Sequence, residues 1–142
     1  MNNSGMTNFA LGWTCIAIGL SMGLIIGLWA FDGPATPPEA LAAYDGTPRR
    51  LLRLSHIAWI ALGLFNVVLA GVARQRRVPR LALTCMNLGS TLLPLTLLVA
   101  VWIPPAKYLM ALPASCVLLT TILMARLGWG ALAANQPEPQ QT

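Results

Sequence analysis

Charge is what this sequence lacks most. Of 142 residues, nine are Lys or Arg and four are Asp or Glu, 9% in all, where an average soluble domain has about 25% charged residues. Too little charge remains to coat a water-soluble surface, which excludes a soluble enzyme, a nucleic-acid-binding domain and a disordered chain. Carboxylates are missing altogether from the long apolar stretches. A small proton-coupled exporter needs an intramembrane Asp or Glu whose charge changes during its cycle, so that class is disfavoured. His56 is the only histidine, and two-histidine ligation of a haem within one chain is therefore excluded. Cys15, Cys85 and Cys116 lie in three separate apolar runs without CxxC spacing, and each reads as a small buried hydrophobe. Phosphate-cradling glycine loops, HExxH and GxSxG patterns are absent, so neither a catalytic residue nor a metal site is expected.

What the chain has in abundance is apolar length: hydrophobic residues make up 56% of it and the mean hydropathy is +0.67. Four stretches, about 9–31, 54–73, 81–103 and 108–128, are each long enough for the ~20 helical residues that cross a ~30 Å hydrocarbon core. The first lacks the basic flank of a signal peptide and is longer than a leader's apolar region, so it reads as a permanent span. The expected fold is all-α: a polytopic membrane protein of four transmembrane helices in an up-down bundle, residues 1–134, followed by a polar, proline-broken tail over 135–142 expected to be disordered. Asp32-Gly33-Pro34 and Pro37-Pro38 end the first helix, because proline lacks a donor and restricts the residue before it. Thr47-Pro48 reads as a helix cap followed by a first helical position. Helix two then runs from about Pro48 to Ala73, ~39 Å at 1.5 Å per residue, so its first two turns extend beyond the bilayer. Pro104-Pro105 separates helices three and four, while Pro94 and Pro113, inside apolar runs, are expected to kink them.

The cations report topology. Arg74, Arg76, Arg77 and Arg80 crowd one short turn, with Arg126 near the same side, against Arg49, Arg50, Arg53 and Lys107 on the other. The denser cluster is expected to be cytoplasmic. Both termini then lie in the cytoplasm of a multi-pass integral membrane protein, in the inner membrane if the cell is bacterial.

Three groups of residues stand out. Gly19, Gly23 and Gly27, with Gly12 and Cys15 roughly extending their face, form a glycine-zipper pattern where another backbone can approach. Its partner is either helix two or four of the same chain, or another subunit. Asn66 and Asn87 reach the same depth in an antiparallel hairpin and are expected to bond each other, fixing the register of helices two and three. Arg49, Arg53 and His56 share a face near one membrane surface, one turn from Trp59. Three arginines at a helix N-terminus oppose the macrodipole, so something else must favour them, lipid phosphates being the plain reading.

Three functions remain open. One is a non-catalytic accessory or assembly subunit that packs into a larger membrane complex. The second is a haem-, quinone- or lipid-binding subunit using His56, Trp59, Arg49 and Arg53, since a lone histidine can ligate iron or bond a quinone carbonyl. The third is a homo-oligomeric passive channel or carrier. Expected partners are the lipid bilayer and either foreign subunits or copies of the chain, and not nucleic acid.

Overall fold

A computed structural model describes residues 3–30 and 33–134. Phe31 and Asp32, at the expected end of the first span, and the tail 135–142 lie outside the described residues. The chain is all-helical, with α1 over Asn3–Gly27, α2 over Thr47–Gln75, α3 over Arg80–Trp102 and α4 over Ala111–Ala134. At 1.5 Å per residue these are roughly 35–43 Å long, and four helical stretches are long and apolar enough to cross a membrane.

Boundaries moved where tertiary contacts outweigh composition. α1 starts at Asn3 rather than Phe9, because the polar Asn8 is carried into the interior, where it is fully buried. α2 starts one residue early, with Gly46 at the cap and Pro48 in the first turn. The last segment opens as 3-10 turns over Pro104–Met110 before α4 begins. Pro113 therefore falls in the first turn of α4, where a backbone N–H has no helical acceptor, so no ladder bond is lost and the reason for a kink disappears. Pro94 does sit mid-helix, inside α3. The carbonyl that its missing N–H frees, four residues back on Ser90, is faced by the Cys15 thiol at 3.9 Å.

Consecutive helices run antiparallel, as their cross-contacts show. Gly12 lies against Gly63 and Gly23 against His56. Ser55 bonds Pro94 and Asn66 bonds Ser90, and Thr120 of α4 bonds the Ala82 carbonyl of α3. α3 is the central element: it exchanges side-chain bonds with each of the other three helices. Leu62 and Leu69 of α2 pack with Leu83 and Met86 of α3 as the apolar core. Helix α4 is the outlier, packing on α3 alone among the long helices.

The tightest approach is between α1 and α2. A Cβ added at Gly12 would stand 2.8 Å from the Gly63 carbonyl oxygen, and one at Gly63 would stand 2.7 Å from that of Gly12. The two backbones touch, and only glycine fits on both sides. Gly19 packs under Trp59 and Ile60, and Gly23 under the His56 ring, whereas among the described residues a Cβ at Gly27 would meet nothing within 4 Å. Gly12, Gly19 and Gly23 thus lie against α2 of the same chain, and Gly27 does not.

Candidate functional site

Two polar clusters are candidates, one inside the bundle and one at the end bearing the 28–46 connection. The inner cluster begins with Asn8. Its amide nitrogen donates to Asn66 Oδ1 at 2.7 Å and to the Leu83 carbonyl at 3.1 Å. Its own carbonyl accepts from Asn87 Nδ2 at 3.3 Å. Asn66 in turn donates from Nδ2 to Ser90 Oγ at 2.5 Å, and Ser90 donates to the Asn87 carbonyl at 3.2 Å. Asn8, Asn66 and Ser90 are completely buried. The result is a connected chain of donors and acceptors linking α1, α2 and α3 at one depth, where low dielectric strengthens each bond and penalises any gap. Asn66 and Asn87 do reach the same level, but no direct bond joins them; Asn8 stands between. Its signal was present in the sequence, since Asn8, Gly12, Cys15, Gly19 and Gly23 continue one face at spacings of four, three, four and four.

At the other end, the four residues grouped by spacing divide into two pairs, Arg49 with Arg53 and His56 with Trp59. Arg49, 7% exposed, donates to the Trp29 carbonyl at 3.0 Å and lies over the Tyr44 ring at 4.9 Å. Arg53 covers the same ring at 4.6 Å and reaches the Tyr44 carbonyl at 3.5 Å. Two guanidinium groups thus lie against the Tyr44 ring, each attracted by its π-electrons. Trp29 lies just past the C-terminus of α1, where unpaired carbonyls carry partial negative charge. This resolves the conflict with the macrodipole: Arg49 sits at the positive end of α2 but against the negative end of antiparallel α1.

His56 Nδ1 lies 2.7 Å from the Gly19 carbonyl. A carbonyl can only accept, so Nδ1 carries the proton, and in the neutral ring Nε2 keeps its lone pair. The Cε1 edge of the ring faces Gly23, where an added Cβ would come within 2.6 Å of it. His56 therefore pins α2 to α1 through the glycine groove. Trp59, the next turn along, is buried, and its indole nitrogen has no hydrogen-bond partner. Asn87 Oδ1 is the second such buried side-chain atom among the described residues.

The geometry brings Arg49 and Arg53 together on Tyr44, and His56 and Trp59 together on α1. The groups engage backbone carbonyls of the 28–46 connection and of α1, which leave no trace in side-chain spacing. Comparison of the chain with protein-family models, curated proteins and solved structures found no match.

Proposed function

We propose that this chain is an integral membrane protein without a catalytic site, acting as an accessory or assembly subunit of a larger membrane complex. In this reading its helices cross the bilayer up and down. The first turns of the 29-residue α2 project beyond the hydrocarbon, and both termini lie with the Arg74–Arg80 turn in the cytoplasm. The observation that carries the reading is the division of labour among the helices. Interior polar side chains of α1, α2 and α3 are bonded to one another, whereas α4 is held by α3 alone. Among the described side chains of α4 only Pro113 and Thr120 are buried, and Leu112, Leu118, Ile122 and Trp129 are exposed. A helix fastened on one side presents the rest of its surface to a neighbouring span without disturbing the three-helix core. Unlike the glycine groove, this face is not covered by another described helix of the chain.

Purification of the full-length chain in mild detergent, followed by mass spectrometry, tests the assignment. Stoichiometric foreign subunits that crosslink to a photoreactive residue at Leu118 support it. A chain recovered alone, or only with copies of itself, overturns it. Reporter fusions at the C-terminus test the orientation, and an outside signal would reverse it.

A second reading, a haem or quinone ligand at His56, is favoured by one observation: the bond to Gly19 leaves Nε2 as the free lone pair, the arrangement used by ligating histidines. A Soret band lost in His56→Ala would select it. A colourless preparation of the intact complex would eliminate the haem form.

A further inference from the structure

The arginines of the 74–80 turn do more than mark a membrane side. Arg74, Arg76, Arg77 and Arg80 line a recess of about 800 Å³ whose other walls include Met6 and Leu83. All four are exposed. The described carboxylates of the chain, Glu39 and Asp45, both lie in the connection at the opposite end of the bundle. Four cations within seven residues therefore stand without an acidic partner among the described residues, and their mutual repulsion favours an anion between them. Arg74 is partly fixed, its guanidinium lying over the Phe9 ring at 5.5 Å.

Two further hollows lie near the recess. Arg76 also lines a second cavity of about 480 Å³ together with Val72, Met124 and Trp129. Next along the helices comes an apolar cleft of about 250 Å³ between α2 and α4, lined by Phe65, Val68, Val72 and Met124 among others. That cleft exists because α4 packs on α3 and not on α2. The basic recess and the apolar groove are thus neighbours in series: the recess shares Arg76 with the second cavity, which shares Val72 and Met124 with the groove. An anionic head and an apolar tail joined together match that sequence of surfaces.

We infer that this end of the protein is a binding site for an anionic phospholipid. The phosphate lies among Arg74, Arg76, Arg77 and Arg80, and one acyl chain lies in the α2–α4 groove beside Met124. Fork-shaped guanidinium groups match phosphate oxygens with paired N–H donors. Basic pockets between membrane helices take anionic headgroups in this way. The inference rests on the reading of these helices as membrane spans and is independent of the proposed subunit role.

The test uses the full-length chain in mild detergent, with native mass spectrometry or thermal-shift titration against phosphatidylglycerol, phosphatidylcholine and inorganic phosphate. Phosphatidylglycerol is expected to bind well above phosphatidylcholine. The double variant Arg76→Gln/Arg77→Gln should weaken phosphatidylglycerol about twenty-five-fold, taking roughly fivefold for each arginine near the surface. Because both side chains are exposed, far-UV circular dichroism should remain that of the parent. Met124→Trp, which fills the groove, should weaken phosphatidylglycerol while leaving phosphate binding unchanged. Equal binding of the two lipids, unaffected by the arginine changes, overturns the site. Competition by inorganic phosphate at full strength, with Met124→Trp silent, would mean that a free phosphate is the ligand and overturns the lipid assignment. Phosphatidylglycerol binding that appears only in Glu138→Gln would identify the chain's own tail as the occupant and overturn it likewise.

Discussion

Asn8→Ala is the perturbation that most directly probes how the bundle is held. The substitution removes three bonds: the donations to Asn66 Oδ1 and to the Leu83 carbonyl, and the acceptance from Asn87 Nδ2. Interhelical hydrogen bonds in membranes average about 0.6 kcal/mol each, with a maximum near 1.7. Three together come to about 2 kcal/mol, or roughly a thirtyfold rise in the unfolding constant, since about 1.4 kcal/mol is a factor of ten. The loss should not be smaller, because Asn66 Oδ1 is stranded in a fully buried position and a buried acceptor without a donor is penalised further. Equilibrium unfolding in mixed detergent micelles, followed by circular dichroism or steric trapping, measures it.

Double-mutant cycles sharpen the test. Asn8 and Asn66 share a bond, so Asn8→Ala and Asn66→Ala should couple by about 0.5–1.5 kcal/mol. Asn66 and Asn87 exchange no side-chain bond, and any coupling between them should vanish in the Asn8→Ala background. The triple leucine variant should lose less than the sum of its single losses, because no stranded amide remains. A cost for Asn8→Ala below about 0.3 kcal/mol, or an Asn66–Asn87 coupling undiminished without Asn8, would refute the reasoning about the network.

Other substitutions probe the remaining contacts. Gly12→Ala must push apart two touching backbones, an overpacking cost of about 1–3 kcal/mol against about 1 kcal/mol gained in helix propensity. A net loss of about 1 kcal/mol is expected in the same unfolding assay, whereas Gly27→Ala, which meets nothing, should be neutral or stabilising. Arg49→Met keeps the apolar stem but removes the donation to Trp29 and the cover over Tyr44. It should raise the rate of limited proteolysis in the 33–46 connection about tenfold, since a charged hydrogen bond contributes about 1.5–3 kcal/mol; Arg50→Met serves as the control, and equal rates would contradict the proposed clamp. Trp59→Phe removes an indole donor that has no partner, so unfolding should shift by less than about 1 kcal/mol in either direction. A larger loss would mean that the indole N–H has a bound partner.

Much of the architecture follows from apolar run length, and the reasons for the exceptions are specific. The four helices were legible because a membrane span must satisfy its own backbone and must be long. The equal depth of Asn66 and Asn87 was legible because antiparallel register is arithmetic on helix rise. Partners that are backbone carbonyls were not: Trp29, Tyr44 and Gly19 receive Arg49, Arg53 and His56 through groups that every residue type carries. The isolation of α4 was not legible either. A helix apolar on all sides has no preferred face in its sequence, since lipid and neighbouring helices solvate leucine equally well.

Asn8 shows how composition and spacing come to disagree. By composition, the polar residues before Phe9 belong to the membrane surface, and a span counted from hydropathy alone begins after them. By spacing, Asn8 lies four residues before Gly12 on the face that continues through Cys15, Gly19 and Gly23, and that face is the one turned toward α2 and α3. Glycine on this face lets the α1 and α2 backbones touch. Once they touch, an amide one turn earlier is brought within hydrogen-bond reach of Asn66, and the polar residue becomes interior because its neighbours on the face are small. The glycine stripe and the asparagine cluster are therefore one feature: close backbone approach is what puts Asn8 in position to close the network. Small residues at a crossing should then be read together with the polar residue that extends their stripe.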